Sequence, residues 1–554
     1  MALTAQRKRL ILVACILGTT VVTIDSSAIN VALPAIAGDL GGGLAGQQWT
    51  SNAYLVTLGS LLLIGGSLGD IFGERRVFAF GIVAFGLTSI VCAVAPTIEI
   101  LVAGRALQGV AGALLTPAAL AVIVATFPPK ERGKAVGAWT AWGGIGVVFG
   151  PILGGQLVDS ASWRWIFLIN VPLVIFTLLL ILRVVPQARE TDPEARVDVI
   201  GAVLCALGLA GISFGLIEQP VRGWTDPAVF LALAIGVLMF AAFLWHEART
   251  DHPMLPLGLF RRRNFAAGNI ETFSMYGGLG IVFFLLVLYL QQVAGYTALK
   301  AGTATLPVTI VMFLLSTRFG ALADKYGPRF FMGVGPLVAA AGLAMLIRID
   351  AHVNYLTDLL PALTLFSIGL SMTVAPLTAT VLADADERNA GIASGVNNAI
   401  ARVSALVTIA AVGAIVAAHF GSKLDSELGP LGSRPEVAKA AKEAKKQPLA
   451  VVKVKGVPPP VARRVERAAR DSSVSAFRLG MAISTLMVAL GGVLGLAGIR
   501  NPRREVSSED CAGGQLVGSP QEAAKQSPCD WHRPEGPLPR VSAPRPVESG
   551  SASG

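Results

Sequence analysis

Charge is scarce in this chain. Only 14% of its 554 residues are Asp, Glu, Lys or Arg, where a soluble protein carries about a quarter. That deficit excludes an ordinary soluble multidomain enzyme. Histidine and cysteine are also few, five of each. Cys15, Cys92 and Cys205 fall in apolar runs and Cys511 and Cys529 near the C-terminus, so neither a disulfide framework nor a metal-ligand spacing is present. There is no GxxxxGK[ST] loop and no nucleophile–base constellation. No metal, cofactor or catalytic residue is expected, the chain is not read as an enzyme, and any work it performs is driven by something other than bound ATP.

Apolar sequence is what abounds. Hydrophobic residues make up 53% of the chain and the mean hydropathy is +0.64. Fourteen runs long enough to cross a bilayer lie near 10–34, 49–69, 77–95, 101–125, 135–158, 164–185, 198–218, 228–246, 267–291, 301–322, 330–349, 358–382, 393–418 and 478–499. Barrel strands would alternate over about ten residues, which these runs do not. The first run follows Arg7-Lys8-Arg9 but is too long for a signal peptide and carries Asp25 and Asn30, so it reads as a retained helix. The fold class is an all-α polytopic membrane protein.

Lys and Arg in short loops set the orientation. With the N-terminus in the cytoplasm, eighteen fall in inside segments and four (Arg164, Arg222, Lys300 and Arg348) in short outside loops. Both termini are therefore expected in the cytoplasm, in a multi-pass protein of the cell membrane. The net charge of +10 then reflects inside loops facing anionic lipid, with no nucleic-acid partner. Residues 419–477 oppose this pattern, holding twelve basic and six acidic residues in a segment placed outside. Long loops largely escape the charge rule.

The chain repeats itself. GSLGDIFGERR (66–76) and GALADKYGPR (320–329) share Gly66, Leu68, Asp70, Gly73 and Arg75 with Gly320, Leu322, Asp324, Gly327 and Arg329, at a constant offset of 254. KERGKAVG (130–137) and DERNAGIASG (386–395) form a second pair. The organisation is then a cytoplasmic N-terminus (1–9), a six-helix bundle (10–185) and a linker with two extra spans (186–266). A second six-helix bundle (267–499) follows, with a long external loop (419–477) and a Pro-rich, disordered cytoplasmic tail (500–554). Parallel repeats of this kind place the substrate path between the halves.

Glycine is concentrated where a helix should avoid it, in GAWTAWGGIGVVFGPILGG (137–155). Gly146, Gly150 and Gly154 recur every four residues, baring one helix face for close approach. Pro151 cannot donate to the Val147 carbonyl, so a bend is expected. Asp25 lies near mid-membrane, where a carboxylate is costly and is kept for function or pairing. It is a proton carrier, a cation contact or a structural ion-pair partner. Arg105, Gln108, Gly109 and Gly112 share a face of the fourth run, and an Arg there must find an anion or carbonyls. Glu271 follows Arg261-Arg262-Arg263 by about two turns. A salt bridge to those arginines is favoured over a second proton site.

Together these stretches resemble the major facilitator superfamily, in its 14-helix drug:proton antiporter branch, over about residues 10–500. Gly137, Gly146, Gly150, Pro151, Gly154 and Gly155 match the antiporter signature of that branch, and IDSSAINVALP (24–34) its first-helix motif. Arg105 falls in its proton-coupling motif. The 66–76 stretch is similar to the family hallmark, whose implied role is a conformational gate: Gly66, Asp70, Gly73, Arg75 and Arg76 with Arg132, and Asp324 and Arg329 in the repeat. Asp70 and Arg132 are expected to latch the halves. WRWIFLINVP (163–172) resembles the same branch, with Asn170 capable of interhelix bonding.

The resemblance implies two six-helix pseudo-repeats plus two inserted central helices; the sequence does not name the oligomeric state, and a monomer is the expectation. It implies antiport of small amphipathic compounds or drugs against protons by alternating access, driven by the proton motive force. A dedicated exporter of one metabolite, lipid or siderophore is the first alternative; a non-transporting membrane scaffold or sensor is the second.

Overall fold

The computed structural model describes residues 4–186, 197–383, 390–445, 447–450 and 458–501, and the regular structure among them is helical. The first six passages are α1 (Ala5–Leu40), α2 (Gly43–Phe72), α3 (Glu74–Ala93), α4 (Ile98–Thr126), α5 (Pro129–Ser160) and the broken pair α6 (Trp165–Leu168) and α7 (Asn170–Val184). An inserted hairpin follows, α8 (Val199–Arg222) and α9 (Pro227–Glu247). The second six are α10 (Arg263–Gln292), the pair α11 (Ala298–Ala304) and α12 (Leu306–Tyr326), α13 (Pro328–Leu346), α14 (Leu360–Ala383), α15 (Ala390–Leu428) and, after the short α16 (Pro435–Lys445), α17 (Pro459–Gly498).

Twelve helices among the described residues are long and apolar enough to cross a membrane. At 30 and 32 residues, α2 and α5 exceed the length a bilayer requires, so the architecture is compatible with fourteen spans. Helix starts carry side-chain caps where the sequence offers them: Thr4, Thr97, Asp198, Asp226 and Thr297 each accept a first-turn N–H.

The repeated motif is not a loop. α2 runs through to Phe72 and a single residue, Gly73 at φ 88°, separates it from α3. Gly327, at φ 91°, does the same between α12 and α13. A side chain is strained at such a φ, so glycine is what allows a one-residue reversal. Asp70 consequently sits in the last turn of α2, the negative end of that helix. Its side chain, and residue 66 beyond its backbone, lie outside the description.

Apolar packing divides the molecule by depth. At the end where α1 finishes, one core is shared by both halves: Ala28, Leu33 and Ile36 of α1 pack with Ile281, Leu285 and Leu288 of α10 and Val412 and Val416 of α15. At the end where α1 begins, the core splits. Ile11, Phe78, Ile123 and Ile181 belong to the first half alone, while Leu259, Met332, Val381 and Val396 belong to the second alone. The large apolar core is thus shared by the halves at one end, with a smaller lateral contact through Val56 and Leu406.

The inserted hairpin bridges them laterally. Cys205 and Leu209 of α8 and Phe243 of α9 pack with Val56 of α2 and Leu406 of α15, and Trp49 Nε1 donates to Glu218 Oε1 at 3.0 Å. The outer face of α9 leaves Phe230, Leu238 and Trp245 about three-fifths exposed, as a lipid-facing surface requires.

Residues 419–477 are not the loop expected. α15 continues to Leu428, α16 forms a separate helix, and α17 begins at Pro459, well before the apolar run near 478. Leu424, Leu428, Val437, Ala441, Val465 and Ala469 are buried in the shared core. The amphipathic spacing of these residues builds a folded cap from a segment whose polarity alone reads as loop. The tail 502–554, with Cys511 and Cys529, lies outside the described residues, as do Arg189, Arg196 and Arg388.

Candidate functional site

The most tightly organised polar cluster lies inside the first half. α1 supplies Asp25; α4 supplies Arg105 and Gln108, one turn apart on the same face. Asp25 is 0% exposed and Arg105 1%. Arg105 donates to Asp25 Oδ2 at 2.5 Å and to Gln108 Oε1 at 2.7 Å. Gln108 Nε2 and Asn170 Nδ2 each donate to Asp25 Oδ1 at 3.0 Å. The same two amides reach Ser89 Oγ at 2.9 and 3.3 Å. Arg105 Nε donates to the Thr50 carbonyl at 3.1 Å. Its guanidinium lies over Tyr54, 4.4 Å from the ring centre, with Phe167 at 5.8 Å.

Burying two ions costs several kcal/mol each, and only a close, fully hydrogen-bonded pair offsets that. Here both carboxylate oxygens accept, and Nε and Nη1 of the guanidinium donate. A proton added to Asp25 would remove the charge that holds Arg105, leaving a buried cation facing a neutral acid. Asn30, on the same helix, is half-buried and outside the network.

Sequence reasoning assigned no chemistry to Asn170 and did not single out Ser89, Thr50 or Tyr54. The signal available was a lone polar residue in each of several apolar runs. Which of those runs meet is decided by the bundle.

The glycine-rich α5 lies against α1. A Cβ at Gly146 would strike the Thr23 side chain and one at Gly150 the Ser27 hydroxyl; at Gly154 it would sit 2.9 Å from Ala28 Cβ. Ser27 Oγ donates to the Gly146 carbonyl at 3.2 Å. Gly155 faces the other way, where a Cβ would be 2.6 Å from Leu299 Cα in the second half. The Pro151 carbonyl abuts Gly302. Gly137 stands apart, with nothing within 4 Å of its Cβ position. α5 continues through Pro151 to Ser160 as one helix.

Among the described residues, Asp159, Gln48, Asn52 and Gln291 bond across the halves. Asp159, near the end of α5, accepts the N–H groups of Ala298 and Leu299 at 3.1 and 2.9 Å, capping α11. Gln48 donates to the Ile409 carbonyl at 2.7 Å and Asn52 to that of Leu406 at 3.4 Å. Gln291 donates to the Val31 carbonyl at 3.0 Å.

Three of the expected gate arginines bond main-chain carbonyls of their own half. Arg75 donates to the Leu182 carbonyl at 2.6 Å, Arg132 to that of Val124 at 3.2 Å, and Arg329 to that of Leu496 at 2.7 Å. Arg76 and Asp324 are exposed. The Asp70–Arg132 latch lies outside the described side chains.

Glu271 departs from its expected role. It is 0% exposed and neither carboxyl oxygen has a hydrogen-bond partner. Arg263 instead donates to the Gly498 and Ala497 carbonyls at the end of α17, at 2.8 and 2.9 Å. Glu271 stands about 12 Å along α10 from Arg263, turned inward against Gly495 of α17, so the salt bridge to the preceding arginines is not formed.

Comparison with known proteins follows the same line. The Major Facilitator Superfamily profile matches residues 15–409. The puromycin resistance protein of Streptomyces alboniger is 37% identical over 407 residues, covering 72% of this chain and 80% of that protein. The tetracenomycin C resistance and export protein of Streptomyces glaucescens is 34% identical over 415 residues, covering 74% and 76%. The multidrug resistance protein Stp of Mycobacterium tuberculosis is 31% identical over 420 residues, covering 76% and 78%.

Among solved structures, the inward-facing, unoccupied bacterial homologue of the lysosomal transporter Spinster superposes with TM-score 0.59 at 16% identity, covering 90% of this chain and 100% of that one. The inward open xylose transporter XylE of E. coli gives 0.54 at 13%, covering 90% and 97%. With the repeat, the paired bundles and these relatives in hand, the chain belongs to the Major Facilitator Superfamily.

Proposed function

We propose that this chain exports small amphipathic compounds, antibiotics among them, across the cell membrane in exchange for protons. The observation that carries the reading is the sealed Asp25–Arg105 pair lying beside the glycine seam of α5. Protonation of Asp25 loosens α1 from α4; α1 also rests on the bare face of α5, and α5 in turn meets α11 of the other half. A proton can thus be converted into relative movement of the two bundles by alternating access. The membrane potential supplies about 2.3 kcal/mol per charge per 100 mV, so one or two protons suffice for a tenfold gradient of a neutral compound. Resistance proteins and exporters among the relatives support the direction of transport.

The bias of basic residues supports a reading with both termini in the cytoplasm. The apolar core shared at the far end and divided at the near end is then that of an inward-facing state. Glu271, the buried carboxyl of the second half, is the second candidate proton carrier.

The test uses the full chain in proteoliposomes, with puromycin and a panel of unrelated antibiotics as probes. A proton gradient should accelerate movement of at least one probe, and Asp25→Asn should abolish that acceleration. Equal rates with and without the gradient across the panel would refute proton coupling. A dedicated exporter is the second reading, favoured by relatives whose names carry one compound, such as that for tetracenomycin C. It predicts that a single chemical type is moved.

A further inference from the structure

The cap built by residues 419–445 and 458–477 borders an open pocket of about 620 Å³, into which the exposed Arg467 and Arg470 face, a volume within the range of small-molecule sites. Its walls are the extension of α15, one face of α17, and the turn that follows α13. All three belong to the second half, so the cavity is separate from the path between the bundles.

Its lining is ionic. Arg467, Arg470 and Arg478 of α17 and Lys423 of α15 face it, as do Asp350, Asp471 and His352. Positions 467, 470, 471, 474, 475 and 478 recur at helical spacing, so one stripe of α17 supplies most of the wall.

The cations are not all answered. Arg478 pairs with Asp350 and Lys423 with Glu427, one turn on, at 3.0 Å. Among the described residues Arg467 and Arg470 pair with no carboxylate, leaving Asp471 as the one unpaired acid in the wall. Two like charges one turn apart on a helix repel. An oxyanion seated between them reverses the sign of that interaction, and guanidinium forks match phosphate oxygens in a bidentate manner.

We infer that this cavity is an accessory anion site, taking a phosphate-bearing ligand through Arg467 and Arg470 with Lys423 beside them. The phosphate is that of a soluble compound or of a lipid headgroup. The inference stands on the cap alone and does not depend on the export reading.

The experiment uses the purified full chain. Thermal unfolding in detergent is followed against inorganic phosphate and pyrophosphate, with chloride at matched ionic strength as reference. In parallel, co-purification of phosphatidylglycerol is compared with phosphatidylcholine from mixed nanodiscs. Arg467→Gln/Arg470→Gln is the test variant. Arg463→Gln/Arg464→Gln, exposed arginines of the same helix outside the cavity, is the control.

A soluble phosphate ligand predicts stabilisation by pyrophosphate that weakens about tenfold in apparent affinity in the test variant and is kept in the control. A headgroup predicts the same pattern in phosphatidylglycerol retention. Either outcome supports the site. If neither probe separates the test variant from wild type, or if both variants respond alike, the inference is overturned. The ligand-free melting temperature of each variant shows that it is folded.

Discussion

The Asp25–Arg105 pair can be weighed by a double-mutant cycle. In Asp25→Asn the amide oxygen still accepts from Gln108 and Asn170, both at 3.0 Å in the native arrangement. The amide nitrogen then faces the Arg105 donor that stood 2.5 Å from Oδ2, and a guanidinium only 1% exposed is left without its anion. Removing one partner of such a pair costs about 3–5 kcal/mol. Arg105→Gln leaves a buried carboxylate served by two amides and costs a similar amount. Were the two sites independent, the double variant would lose the sum, about 6–10 kcal/mol.

The geometry predicts otherwise. With both charges gone, each amide retains a neutral neighbour, so the double variant should be no worse than the poorer single one. The coupling should then be about 3 kcal/mol or more. Reversible unfolding in mixed micelles of increasing SDS fraction reads all four corners of the cycle. Additivity within about 0.5 kcal/mol would refute the claim that Asp25 and Arg105 hold one another in place.

Four further outcomes follow from the packing. Gly150→Ala would set a methyl group against the Ser27 hydroxyl and 2.9 Å from the Ile24 carbonyl, costing about 1–3 kcal/mol in the same unfolding assay. Gly137→Ala meets nothing within 4 Å and should gain up to about 1 kcal/mol from helix propensity. Glu271→Gln removes no ion pair and should change stability by less than about 1 kcal/mol; a loss above about 3 would reveal a charge partner. Asp159→Ala strips two N–H caps from α11 and should weaken the closed end by about 1 kcal/mol, a roughly fivefold shift in the open population. Spin labels on α5 and α11 measure that shift.

Much of this architecture is written in local patterns. Long apolar runs set the helices, because no other structure satisfies the backbone in lipid. The spacing of Gly146, Gly150 and Gly154 specifies one bare face, and that face meets α1. Gly137 belongs to the same glycine-rich stretch yet faces open space, because spacing says which residues share a face but not how far a neighbour extends. Asp25 and Arg105 could be singled out by cost alone, since ions in apolar runs need a reason. Their bond to one another, and the roles of Ser89 and Asn170, depend on the meeting of α1, α3, α4 and α7, which no stretch of sequence contains. Glu271 was misjudged because proximity in sequence to three arginines suggested a partner, whereas the helix turns it inward. The 419–477 segment was misjudged because Lys- and Pro-rich composition masks an apolar stripe at every third or fourth residue.

The bonds that cross between the bundles have a feature with evolutionary weight. Among the described residues, Gln48, Asn52, Gln291 and Asp159 each engage main-chain groups of the opposite bundle. Every amino acid but proline offers the same carbonyl and N–H. Replacing Ile409, Leu406, Val31 or Leu299 therefore leaves the bonding groups in place, and compensating changes on the far side are not required. A lineage under pressure to accept new compounds can vary one bundle while the other stands still, and the closure survives the drift.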